Sequence, residues 1–121
     1  MRPIKSPGPD HPITIEPSRE RVVIRLAGRV VADSTKALIL REAGYPPATY
    51  IPRTDIDFSI LVQSDHQTYC PYKGDCVYFS APGFKNIAWC YQDPYPAVTE
   101  IKNHLAFYPD RTDPPATLSM P

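Results

Sequence analysis

Sixteen prolines in a chain of 121 residues constrain the fold more than any other feature of the sequence. Proline fixes its own φ, donates no backbone hydrogen bond and costs about 3 kcal/mol inside a helix, which excludes a helical bundle. The prolines also divide the chain. Pro3, Pro7, Pro9 and Pro12 crowd the start, and Pro109, Pro114, Pro115 and Pro121 crowd the end. Residues 1–12 and 109–121 therefore read as extended, Pro-rich tails around a single folded body at residues 13–108. A body of that length can bury a core without disulfide or metal staples.

Between the prolines lie short apolar runs. Arg21 to Leu26 alternates as a half-buried strand with Val22, Ile24 and Leu26 inward, and Arg29 to Ala32 returns after Ala27-Gly28 as the other half of a hairpin. Further strands are predicted over Ala48 to Ile51, Phe58 to Val62, Val77 to Ser80, Ile87 to Tyr91 and His104 to Tyr108. Turn chemistry stands at Pro52-Arg53-Thr54-Asp55 and at Pro71-Tyr72-Lys73-Gly74. Ser34 to Ala43 fits a capped helix and a strand alike, while Pro96 suits the first position of a short helix through Lys102. The expectation is a compact, mainly β fold with one or two short helices.

Charge and composition remove several function classes. Thirteen Lys and Arg balance thirteen Asp and Glu, so no global field recruits a nucleic-acid polymer. Arg19, Arg21, Arg25 and Arg29 alternate with Glu16 and Glu20 nearby, the pattern of a solvated hairpin face. No apolar run approaches the roughly 20 residues of a membrane span, and the opening residues lack the apolar stretch of a secretion signal. The expectation is a cytoplasmic protein without a membrane partner. Cys70, Cys76 and Cys90 form no C-x-x-C pair, and His11, His66 and His104 lack ligand spacing. Neither a disulfide framework nor a zinc site is written there, and no metal or cofactor is expected. Asp55-Ile56-Asp57 has the D-x-D form that can hold Mg²⁺, but no Gly-Ser loop or phosphate-binding loop accompanies it, so it reads as a polar turn.

The residues that could form a site stand on the stiffened turns. Arg53 and Lys73 each occupy a proline-marked turn, which suits a cation presented at fixed geometry. A guanidinium fork beside an ammonium fits a carboxylate or phosphate, and Tyr50, Tyr72 and Tyr78 offer hydroxyl donors and flat walls. Glu42 reads as an acid or base, or as the ion-pair partner of Arg53. Cys70 lies near Lys73 and His66 in sequence, and a cation activates a thiol. Trp89 and Tyr91 read as core aromatics or as a stacking platform.

Taken together, Ala37-Leu38-Ile39-Leu40-Arg41-Glu42, Gly44-Tyr45-Pro46-Pro47, Tyr50-Ile51-Pro52-Arg53, Thr68-Tyr69-Cys70-Pro71-Tyr72-Lys73-Gly74, Ala88-Trp89-Cys90-Tyr91 and Ala106-Phe107-Tyr108 resemble a known family. It is the family of domain of unknown function number 427, sometimes labelled nucleotidyltransferase-like. The resemblance runs from about Val22 to Tyr108 and implies a coiled antiparallel β fold similar to the Mss4-like topology. It matches the family pattern at Glu42, Tyr50, Pro52, Arg53, Asp55, Thr68, Cys70, Pro71, Lys73, Gly74, Tyr78, Trp89, Tyr91 and Phe107. Asp57 lies outside that pattern, and Thr54 stands where the family often has an acidic residue. No established activity comes with it.

The function expected from these readings is the binding of a small anionic metabolite or nucleotide. The expected pocket comprises Glu42, Tyr50, Arg53, Asp55, Cys70, Tyr72, Lys73, Tyr78 and Trp89. Two alternatives use the same chain differently. One is an enzyme with Glu42 or Cys70 as base or nucleophile and the two cations stabilising negative charge. The other is an interaction module that works through exposed strand edges, with a homo-oligomer among its forms.

Overall fold

The computed structural model describes residues 2–114. Its strands are β1 (Ile13–Pro17), β2 (Val22–Leu26), β3 (Arg29–Ser34), β4 (Leu38–Glu42), β5 (Ala48–Pro52), β6 (Val62–Cys70), β7 (Gly74–Ala81), β8 (Phe84–Cys90) and β9 (His104–Phe107). Two 3₁₀ turns, Arg53–Asp55 and Pro96–Ile101, are the helical elements among the described residues. Seven strands form one open antiparallel sheet in the order β1-β4-β5-β9-β8-β7-β6, and β2 with β3 forms a separate hairpin. The chain is mainly β, and even its longest proline-free interval, between Pro17 and Pro46, carries β2, β3 and β4 and not a helix.

The hairpin turns at Ala27 and Gly28, whose φ values of 50° and 83° are both positive, as a type I′ turn requires. Asp113 clamps it. Its carboxylate accepts the N–H groups of Ala27 and Gly28 at 2.9 and 2.7 Å, and its own N–H donates to the Arg25 carbonyl. Residues 115–121, the remainder of the expected C-terminal tail, lie outside the described residues.

Three readings of the sequence are corrected or resolved. The ambiguous Ser34 to Ala43 segment is strand, with Ser34 closing β3 and Leu38–Glu42 forming β4. Phe58 to Val62 is not a strand: Asp57 accepts the Ser59 N–H at 2.9 Å and donates its own N–H to Val31 O, which fixes a turn. Phe58, Ile60 and Leu61 reach the core from that turn. The strand begins at Val62 and runs to Cys70, and a further strand, β1, occupies the opposite edge of the sheet.

Strict alternation gives the main sheet two cores. One face carries Leu40, Tyr50, Cys76, Tyr78, Tyr91 and Ala106, closed by Val98 and Ile101 of the second 3₁₀ turn. The other carries Ile51, Val77, Phe79, Ala88, Cys90, Leu105 and Phe107, covered by Leu26, Val31 and Ala32 of the hairpin. Neighbours in sequence thus serve different layers. Tyr50 and Ile51 are both fully buried, each in its own core.

The N-terminal segment runs against the β6–β7 turn. Lys5 N–H donates to Pro71 O, Tyr69 OH to Pro3 O, and Ala43 N–H to Pro12 O. Arg2 pairs with Asp75 and lies 3.8 Å above the Tyr69 ring.

Candidate functional site

The site is built on the face that carries Tyr50. β4 and β5 place Leu40, Glu42, Ala48 and Tyr50 there at alternate positions; β7 adds Tyr78, and β8 with the residue after it adds Trp89 and Tyr91. Tyr108, just past β9, continues the same parity, and Tyr45, Pro46, Pro47 and Pro109 form the rim. Together with Cys70 and Lys73 these residues line a cleft of about 440 Å³, within the range of small-molecule sites. Its walls are mostly aromatic. The rings of Trp89 and Tyr108 lie 4.5 Å apart at 47°, and Tyr50 meets Trp89 edge-on at 6.1 Å.

A three-residue cluster of Glu42, Lys73 and His11 stands at one end. Lys73, 7% exposed, hydrogen-bonds Glu42 Oε1, and His11 Nε2 lies 2.6 Å from Glu42 Oε2. The His11 ring stacks on Tyr72 with centroids 4.0 Å apart and planes at 6°. Burial alone would raise the Glu42 carboxyl, but the hydrogen bonds from Lys73 and His11 outweigh it and hold the group below its ordinary value. Lys73 reaches Glu42 because Pro71-Tyr72-Lys73 turns tightly, with Lys73 N–H donating to Cys70 O, before Gly74 at φ 108°. A side chain on Gly74 would be strained there and would sit 3.5 Å from the Asp93 carbonyl.

The deeper polar groups are phenols. Tyr50 accepts the Trp89 indole N–H at 3.0 Å, and Tyr78 shares a 2.9 Å hydrogen bond with Thr68. Burial raises all three of Tyr50, Tyr78 and Tyr91, Tyr78 to about 12, so each keeps its proton at neutral pH. The thiols divide in the same way. Cys76 and Cys90 are buried and raised by that burial, Cys90 to about 11, whereas Cys70 is half-buried on the cleft wall.

Of the residues expected to form a pocket, Glu42, Tyr50, Cys70, Lys73, Tyr78 and Trp89 line this cleft. Tyr72 stands behind it, against His11. Arg53 and Asp55 do not line it. Arg53 lies over Phe58 at 4.3 Å and near Phe79 at 5.6 Å, among residues of the opposite core. Parity is the reason: Arg53 is three residues beyond Tyr50, so the chain directs it to the other face. Glu42 is accordingly the partner of Lys73 and not of Arg53. Asp55 accepts a 2.6 Å hydrogen bond from the buried Ser34, while Asp57 takes Ser59 and Arg29 and is lowered to about 2, so the two carboxylates of D-x-D serve separate partners.

Sequence reasoning missed His11, which it left as a lone histidine in a tail. Its signal lies in the pairing of β1 with β4: Ile13 opposes Glu42, and His11 continues the same face two residues earlier. Trp89 and Tyr91 were legible as core aromatics or a stacking platform, but that Tyr108 shares their face becomes evident only in the sheet order. A family model described as a domain of unknown function (DUF427) matches residues 14–116. No curated protein matches the chain.

Proposed function

Because the chain belongs to the DUF427 family, whose description gives no activity, we propose its function from its own cleft: a binding domain for a small, flat organic molecule. The observation that carries the reading is the aromatic cleft of about 440 Å³ with a buried Lys73–Glu42 pair at one end. Aromatic walls favour a planar ligand by offset or edge contacts worth about 0.5–1.5 kcal/mol each beyond area burial. The polar end gives such a ligand an orientation. Protonated phenols and an ionised Glu42 are fixed donors and a fixed counter-ion, which suits recognition better than proton transfer. Among the described residues Lys73 is the one cation lining the cleft, and it is already paired, so ring stacking and not bare charge carries the affinity.

Trp89 is the only tryptophan in the chain and forms part of the cleft wall, so its fluorescence reports occupancy. Titration with indane, phthalimide, phthalate and adenosine monophosphate should change the Trp89 emission saturably for at least one ring compound, and inorganic phosphate alone should not. Ala48→Phe, which fills the cleft from β5, should abolish the response. A response that survives in Ala48→Phe, or silence from every ring compound, overturns the reading.

A further inference from the structure

The base of the cleft holds more hydrogen-bond donors than the protein itself uses. Tyr50 is 1% exposed; its oxygen accepts the Trp89 N–H, and among the described residues its own proton meets no acceptor. Tyr91 is 7% exposed and also lines the cleft. Its hydroxyl has no oxygen or nitrogen partner among the described residues and only the Cys76 thiol beside it, and sulfur is a weak acceptor. The buried Tyr50 donor costs free energy that an incoming acceptor recovers, whereas the Tyr91 hydroxyl opens onto the cleft, where an acceptor replaces water. The Lys73 ammonium lies 5.7 Å from the centroid of the Tyr91 ring, so the phenols and the ion pair share one end of the cleft.

Charge decides which acceptor fits. With His11 neutral, Lys73 and Glu42 bring the cluster to zero net charge, and both side chains are less than 10% exposed, at 9% and 8%. A carboxylate or phosphate placed there would set an uncompensated negative charge beside Glu42 in a poorly hydrated space. A carbonyl brings the same lone pairs without that charge. A ring N–H beside the carbonyl would complement the Glu42 carboxylate, which accepts only. A ring bearing amines alone would present donors to donors.

We infer that the ligand is an uncharged planar ring carrying carbonyl oxygens, of lactam or cyclic imide type, which accepts hydrogen bonds from Tyr50 and Tyr91 at the Lys73–Glu42 end of the cleft. This assignment rests on the binding reading above and narrows it to one chemical class. It also separates two ligand sources that the aromatic walls alone do not: hydrocarbon rings held by stacking, and ring anions held by the lysine.

Three probes of matched shape test it. Phthalimide is a flat neutral imide, phthalate carries the same ring with two carboxylates, and indane has the bicyclic frame without acceptors. Their dissociation constants are measured from Trp89 fluorescence in neutral buffer, where the imide keeps its proton, on the wild type and on Tyr91→Phe. Phthalimide should bind about tenfold more tightly than indane or phthalate, as hydrogen bonds from the two phenols imply. Tyr91→Phe should weaken phthalimide about fivefold or more and leave indane unchanged. Should Tyr91→Phe fail to fold, Tyr50→Phe gives the same comparison. If indane equals phthalimide, or if phthalate binds most tightly, the carbonyl assignment is wrong and the cleft reading stands. If none of the three binds, the carbonyl assignment falls, and the cleft reading falls with it when adenosine monophosphate is silent too.

Discussion

Replacing Lys73 by methionine should remove most of one pH effect. In the wild type the Glu42 carboxyl is lower in the folded than in the unfolded chain. A lowered carboxyl contributes stability that is fully present above its unfolded value and is lost as pH falls through the folded value. Lys73→Met keeps most of the side-chain volume and removes the principal cation, which leaves burial, the largest influence on Glu42, opposed by His11 alone. The carboxyl then rises. The buried charge, stripped of its lysine, becomes a penalty at neutral pH, relieved as acid neutralises it. With both side chains under 10% exposed, at 9% and 8%, but facing a cleft and not a sealed interior, the low end of the range for a broken buried pair applies, about 3 kcal/mol. At about 4 °C per kcal/mol for a domain of this size, that is about 12 °C in Tm at neutral pH. Thermal melts of both proteins from neutral to mildly acidic pH should show the gap narrowing steadily with acid. Lys73→Met/Glu42→Gln should melt above Lys73→Met at neutral pH, because it removes the orphaned charge. A gap that stays constant with pH, or a double variant with the summed losses of its parents, would refute the account.

Other outcomes follow from single contacts. His11→Ala loses a part-buried hydrogen bond to Glu42 and the Tyr72 stack, so it should lower stability by about 1–2 kcal/mol and make residues 2–12 more susceptible to limited proteolysis. Ala27→Gly should raise Tm by a few degrees, about 0.5–1 kcal/mol, because Ala27 sits at φ 50° where glycine is unstrained. Arg53→Met should leave ring-compound binding, read by Trp89 fluorescence, within about twofold of wild type, since Arg53 faces Phe58 and Phe79; loss of binding would place its guanidinium in the cleft. In the native protein a thiol reagent should label Cys70 well before the buried Cys76 and Cys90, and denaturant should expose all three free thiols.

The strands legible in the sequence are those that bury something on at least one face. β2, β3, β5, β7, β8 and β9 carry apolar residues at alternate positions, and proline or glycine marks the ends of most of them. β6 was invisible for the opposite reason: Val62–Cys70 is an edge strand of mostly exposed polar residues, held by backbone pairing to β7 that leaves no hydrophobic pattern. Phe58 to Val62 misled because apolar residues in a turn can fill a core as well as those in a strand. At the site, the C-P-Y-K-G block and Glu42 were legible as chemistry, and Lys73 and Glu42 do meet. Arg53 was drawn into the same pocket by residue type and proline context. Counting from Tyr50 would have excluded it, since an odd step along an extended chain changes face.

The division of the main sheet into two faces has a consequence for how such a domain can diverge. Substitutions at Leu40, Ala48, Tyr78 or Tyr108 alter the cleft wall without touching the layer that the hairpin covers, so the cleft can change shape while the opposite core is kept. The same arrangement is brittle toward a different kind of mutation. A one-residue deletion within β5 would exchange the roles of Tyr50 and Ile51, turning a phenol into the aliphatic layer and an aliphatic into the cleft. Descendants of such a chain are therefore expected to differ at the cleft-facing positions of β5, β7 and β8 and in length at the hairpin and its loops, yet to keep the residue count of those three strands and their residues in the hairpin-covered core.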